Sequence, residues 1–165
     1  MILALEGFMG SGKSSVGREL ARRTGWDAYD LDALIVQRAG CSIAEIFRDK
    51  GEAWFRQLET SCLEEMVARY EGANLILALG GGAPLLNARL LYERTECIYL
   101  RASLQTILRH IGTHDASRPL FNGDIQDRMD SRDPVYTAAA RHIIDVDGLR
   151  PDAVAGQILR LLGLE

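Results

Sequence analysis

Cysteine is sparse in this chain, blocks of one charge are missing, and no apolar run is long. The three cysteines, Cys41, Cys62 and Cys97, are odd in number, far apart and in no metal-type spacing. That pattern excludes a disulfide framework and reads as reduced thiols in a cytoplasmic protein. The 19 basic residues form no cluster in sequence and the net charge is −4, which argues against an extended nucleic-acid surface. Basic side chains must then be placed locally, wherever an anion binds. Nothing approaches the length of a membrane span. The opening run Ile2-Leu3-Ala4-Leu5 is too short for a signal peptide and lacks a basic flank. His110 and His114 stand at an i, i+4 spacing with no cysteine or carboxylate cluster to complete a zinc site. Repeats and low-complexity segments are missing as well. What remains is an ordinary globular composition, 47% hydrophobic and 25% charged over 165 residues, which predicts a single domain over 1–165, with a monomer as the separate expectation for its assembly.

The apolar opening run leads directly into Gly7-Phe8-Met9-Gly10-Ser11-Gly12-Lys13-Ser14, which fits Gly, any four residues, Gly-Lys-Ser between a strand and a helix. Glycines let the backbone wrap around phosphate oxygens, so that successive N–H groups and the positive end of the following helix point at an anion. Gly10, Ser11, Gly12, Lys13, Ser14 and Ser15 form the candidate nucleotide-phosphate site. Lys13 is placed to reach the β- and γ-phosphates, and the Ser14 hydroxyl to ligate Mg²⁺.

Beyond the loop the chain alternates strands and helices. Lys13 to Arg23 reads as a helix stopped by Gly25, and Trp26 to Asp30 as a strand with Asp30 and Asp32 at its carboxyl end. Ligand sites of open parallel sheets lie at that end, so one carboxylate is a candidate Mg²⁺ ligand and the other a candidate to orient or deprotonate an attacking hydroxyl. The competing reading is that they cap the next helix. Helices follow over Leu31–Ala39, after the capping box Ser42-Ile43-Ala44-Glu45, and from Glu52 to Tyr70, with no strand between them. This insertion, about 31–60, is a candidate lobe for a second substrate. In it Arg56 stands near Phe47 and Phe55, a pattern suited to a small carboxylate, while Glu59 three residues on offers the plainer reading of a surface ion pair.

Asn74 to Leu79 is a continuous apolar run, as expected of a buried parallel strand, and Gly80-Gly81-Gly82 at its end suggests close approach of a ligand to the backbone. No acidic residue ends this strand, which leaves Asp30 as the natural support for Mg²⁺. A helix over Leu85–Arg94, the strand Cys97–Leu100 and a helix from Ser103 to His110 come next. Ile111 to Asp124 has little periodicity and reads as a mobile lid, with Arg118 the candidate to meet phosphoryl charge. A helical stretch from Ile125 to Ala140 should kink or restart at Pro134. The strand His142–Val146, a turn and a closing helix from Ala153 to Leu162 complete a five-stranded parallel α/β sheet with helices on both faces.

Taken in order and spacing, these motifs resemble shikimate kinase over essentially the whole chain. Gly7–Ser14 is similar to its phosphate loop, and Asp30-Leu31-Asp32 to its Asp-x-Asp pair, which implies metal support from Asp30 and substrate contact from Asp32. Ser42–Phe47 and Phe55-Arg56-x-x-Glu59 resemble its substrate lobe and carry Arg56 over as a ligand of the substrate carboxylate. Gly80, Gly81 and Gly82 match the glycine triplet of the same pocket. Arg118-Pro119-Leu120 resembles its lid motif, and Arg132-x-Pro134-x-Tyr136 supplies the second carboxylate-binding Arg, Arg132. For adenine the resemblance implies Arg109 or His110, with Arg150-Pro151 in the base-contacting loop. It further implies a three-layer P-loop kinase fold of strand order 2-3-1-4-5, ATP with Mg²⁺, and shikimate as acceptor, in the chorismate route to aromatic amino acids. The rivals are a kinase of another carboxylated polyol such as gluconate and a non-catalytic nucleotide or metabolite sensor. Met9, where nucleoside-monophosphate kinases usually place Pro, counts against that group.

Overall fold

A computed structural model describes residues 1–112 and 122–165. Five strands, β1 (Ile2–Glu6), β2 (Asp27–Asp30), β3 (Leu75–Ala78), β4 (Glu96–Arg101) and β5 (His142–Asp145), form one sheet in the order β2-β3-β1-β4-β5. All pairs are parallel, with Leu5 of β1 in register with Ala78 and Ile98. The expected strand order and all-parallel sheet are therefore what the chain adopts.

Among the described residues, eight helices connect the strands: α1 (Lys13–Thr24), α2 (Leu31–Ala39), α3 (Ile43–Lys50), α4 (Glu52–Arg69), α5 (Pro84–Arg94), α6 (Leu104–Ile111), α7 (Asn122–Ala139) and α8 (Pro151–Leu161). None is long and apolar enough to cross a membrane. Their boundaries follow local chemistry. Ser42 Oγ accepts from Glu45 N at 3.1 Å while Ser42 N donates to the Glu45 carboxylate at 3.2 Å, the reciprocal box that starts α3. Gly25, at φ 72°, takes the left-handed turn that ends α1.

β1 feeds two cores at once. Ile2 and Ala4 join Leu63, Leu75, Leu77 and Leu91 on one side, whereas Leu3 and Leu5 join Val16, Leu20, Ile76 and Ile158 on the other. That two-sided burial is why the strand reads as apolar throughout rather than alternating. A third cluster, Phe8, Tyr99, Ile107, Ile125 and Tyr136, sits under the phosphate loop.

Two expectations need adjusting. Of the stretch 111–124 expected as a loop, Ile111 ends α6 and residues 122–124 belong to α7. Ile111 and Ile125 pack in the cluster around Phe8, so each helix extends to carry its apolar residue there. The helix also neither stops nor restarts at Pro134, which lies within α7. Packing against α5 and β4 holds this segment in place.

Candidate active site

The nucleotide half is built where β1 gives way to α1. Gly7 is required at the turn, since a Cβ there would stand 2.6 Å from Leu100 O and 2.7 Å from Ser11 Oγ. Lys13 Nζ folds back to donate to Gly7 O at 2.7 Å and Phe8 O at 3.0 Å. Burial lowers its pKa to about 8, while Asp32 and Asp30 oppose that shift. The ammonium is therefore poorly solvated and held close to where phosphates would lie.

Asp30 answers both readings of its role. Its Oδ1 accepts from Ala33 N at 3.1 Å and caps α2, and its Oδ2 accepts from the Ser14 hydroxyl at 3.1 Å. The cap fixes the carboxylate's orientation, and the fixed carboxylate meets the phosphate loop.

A cavity of about 460 Å³ runs along the loop, lined by residues 10–16 on one side and by His110, Val146, Leu149, Pro151 and Val154 on the other. Of the two candidates for the base, His110 reaches this cavity and Arg109 does not. His110 Nδ1 lies 2.6 Å from Gly10 O, and because a carbonyl only accepts, Nδ1 carries the proton. Pro151 lines the cavity, whereas the exposed Arg150 side chain turns aside to Asp152 at 3.4 Å. Arg118 and its motif lie outside the described residues.

The acceptor half is a smaller cavity of about 190 Å³ lined by Met9, Asp32, Ile43, Phe47, Phe55, Arg56, Glu59, Gly80, Gly81, Gly82 and Arg132. All the residues expected at the acceptor are brought together here. Phe47 and Phe55 pack at 4.8 Å, and the Arg56 guanidinium lies 5.2 Å from the Phe55 ring. Arg56 Nη1 donates to Glu59 Oε1 at 2.7 Å, while its Nε is buried with no hydrogen-bond partner. The plainer Arg–Glu pair is thus real, and it is a buried pair facing the cavity rather than a surface one.

The glycine triplet has a sharper cause than ligand approach alone. A Cβ at Gly80 would stand 2.6 Å from Asp32 Oδ1, and one at Gly82 would collide with the Arg56 guanidinium. The site's own side chains lie directly on this turn. Tyr136 Oη donates to Gly81 O at 2.5 Å and anchors it. The Arg132 guanidinium lies 5.9 Å from the Phe8 ring, bridging toward the phosphate loop.

Three residues at the site were given no role from the sequence. Glu59, 1% exposed, shows only as the partner of a helix pair, although burial raises its pKa with Arg56 opposing. Tyr136 carried its signal in the Arg132-x-Pro134-x-Tyr136 spacing. Glu6, a charge closing an otherwise apolar strand just before the loop, is fully buried.

A phosphate-cradling loop at the carboxyl end of the central strand, opposed by an arginine-lined pocket for a small molecule, defines the class as a P-loop phosphotransferase. The comparisons narrow it. A family model for shikimate kinase matches residues 9–163, and the chain belongs to the shikimate kinase family. It is 41% identical to the shikimate kinase of Moorella thermoacetica, covering 97% of this chain and 93% of that protein. With the Paracidovorax citrulli shikimate kinase the identity is 45%, over 85% of this chain and 79% of that one. Among solved structures, the Acinetobacter baumannii shikimate kinase in complex with shikimate superposes with a TM-score of 0.89 at 33% identity, covering 98% of this chain and 92% of that one.

Proposed function

We propose that the protein transfers the γ-phosphoryl group of ATP to the 3-hydroxyl of shikimate, giving shikimate 3-phosphate for chorismate and aromatic amino-acid biosynthesis. The observation that carries this reading is Arg56. It is a largely buried guanidinium whose Nε makes no hydrogen bond and only a long 3.6 Å contact with the exposed Glu52, set against an aromatic ring in a pocket it shares with Arg132, sized for one small ring. Two guanidiniums suit a carboxylate, and Phe47 and Phe55 suit the apolar face that carries it.

In this reading Lys13 leaves the carbonyls of Gly7 and Phe8 for the nucleotide phosphates, and residues 10–15 cradle them. His110 and Pro151 line the base end. Asp32 orients the acceptor hydroxyl and accepts its proton. Arg118, assigned by its Arg118-Pro119-Leu120 motif, meets the charge of the transferring group. Ser14 and Asp30 fit Mg²⁺ as hard oxygen donors already converging at 3.1 Å. No group of three or more His, Cys, Asp or Glu converges among the described residues, so water and phosphate oxygens would complete such a coordination shell. Magnesium supplies neutralisation of phosphate charge. Positioning and electrostatics account for the acceleration. The reading further assigns a cytoplasmic monomer working on small molecules, with no nucleic acid or membrane partner.

The test is ADP release measured over shikimate, gluconate and nucleoside monophosphates. Turnover confined to shikimate is expected. Preference for gluconate would move the acceptor within the same fold, and tight ATP binding with no turnover on any of them would replace the enzyme with a sensor.

A further inference from the structure

Glu6 closes β1 one residue before the phosphate loop, and none of the roles above uses it. Its side chain is fully buried, and neither Oε1 nor Oε2 meets an N–H or O–H donor, the weakly donating Cys97 thiol standing beside it. Alternation along β1 sets it on the side of Ile2 and Ala4, away from Leu3 and Leu5. There it stands in register with Tyr99, whose ring packs against Tyr136 at 5.0 Å. The titratable groups around it come from each neighbouring element: Cys97 and Tyr99 from β4, Tyr136 from α7 and Lys13 from α1. Tyr99 is itself bonded to Asp133 at 2.8 Å, and Tyr136 sits in the field of Arg132. Tyr136 continues to Gly81 O, and Lys13 to Gly7 O. Glu6 therefore lies beneath the seam between the phosphate loop and the acceptor turn.

An ionised carboxylate at that position would hold the Lys13 ammonium, because a buried charge left unpaired costs far more than a paired one. Lys13 Nζ instead donates to two loop carbonyls, at 2.7 and 3.0 Å. This is the arrangement of a neutral carboxylic acid beside a lysine left to serve the loop. Burial pushes the Glu6 carboxyl up to about 8, with the neighbouring Cys97 thiol and Lys13 only partly opposing.

We propose that Glu6 is a positioning residue for phosphoryl transfer: held as a neutral acid it leaves Lys13 to the nucleotide phosphates, and on losing its proton to solvent it draws the ammonium away from them. The inference rests on the assignment of Lys13 to those phosphates.

The experiment follows kcat at saturating ATP and shikimate, and the melting temperature, from about pH 6 to about pH 9 for the wild type, Glu6→Gln and Glu6→Met. Bound phosphates keep Lys13 charged, so its own titration does not contribute to kcat. The wild type is expected to lose about tenfold in kcat per pH unit once Glu6 ionises, and the variants to stay flat there. An acid whose native pKa is raised stabilises the fold below its ordinary value and loses that contribution as pH rises through about 8. Each variant should therefore gain melting temperature over the wild type as pH rises. A variant that keeps the wild-type alkaline limb, or a melting difference that does not change with pH, overturns the proposal. So does failure of both variants to fold at neutral pH, since replacing a neutral acid by a neutral side chain removes no charge. Failure of the Lys13 assignment looks different: Lys13→Ala then keeps its turnover while the melting comparison comes out as expected.

Discussion

Arg56→Ala separates two jobs that one side chain holds at once. The guanidinium pairs with Glu59, which is 1% exposed, and it faces the acceptor cavity. Removing it leaves a buried carboxylate alone, and breaking one partner of such a pair costs about 3–5 kcal/mol. For a chain of this length that corresponds to a melting shift of roughly 6–20 °C. The loss depends on pH with a definite sign. Burial already raises the Glu59 pKa and Arg56 opposes that rise, so without Arg56 the carboxyl stays neutral to higher pH. A neutral acid carries no unpaired charge, so the melting gap narrows toward acid pH. The substrate effect is independent of this. Loss of a charged hydrogen-bond pair to a carboxylate, about 3 kcal/mol, raises the shikimate KM ~100-fold and leaves the ATP KM nearly unchanged. The double variant Arg56→Ala with Glu59→Gln recovers most of the stability and none of the affinity. Calorimetry and initial-rate kinetics on the three proteins read both. Recovery of the shikimate KM in the double variant, or a rise in the ATP KM of similar size, would refute the reasoning.

Asp30 also divides cleanly. Asn is as good a helix cap as Asp, so Asp30→Asn should keep the melting temperature within about 0.5 kcal/mol of wild type while raising the Mg²⁺ concentration for half-maximal rate, and Asp30→Ala should lose about 1 kcal/mol besides; a magnesium titration unchanged in both would remove Asp30 from the metal. Gly82→Ala puts a methyl onto the Arg56 guanidinium and should raise the shikimate KM at least tenfold with the ATP KM little changed. Equal loss for both substrates would mean that the whole turn had shifted. Lys13→Ala should abolish measurable turnover in the ADP-release assay, and retained activity would take the lysine out of phosphoryl transfer.

The fold was legible because β1 and β3 are buried on both faces and so read as unbroken apolar runs, with Gly25, Gly40, Gly51 and the Ser42–Glu45 box marking where helices stop and start. The strand order came from resemblance, since periodicity says nothing of which strands neighbour each other. The phosphate loop was legible because its chemistry is contiguous in sequence. The acceptor half gathers from α2, α3, α4, α7 and the turn after β3, and its local signs, Asp32, Arg56 with its aromatic neighbours and the glycine triplet, are scattered along the chain. The burial of Glu59 and of Glu6 escaped notice for a shared reason. A carboxylate in sequence reads as solvated, and only the packing around it reveals that it is buried.

That shared reason bears on how the site holds its charge. Lys13, Arg56 and Arg132 line the two substrate cavities, and in water-poor surroundings three cations without anions would repel one another. Asp30, Asp32 and Glu59 offset them: Asp30 is held by the α2 cap, Glu59 by Arg56, and Asp32 stands against the Gly80 turn. A fourth full negative charge at Glu6 would compete with an incoming polyphosphate for Lys13, the ammonium the loop most needs. Keeping that acid neutral leaves three cations balanced by three carboxylates, with no excess negative charge set against two anionic substrates. The structural pairs that looked like alternatives to function are therefore its precondition, because they fix three charges in place so that the remaining donors of Lys13, Arg56 and Arg132 stay available to ligands.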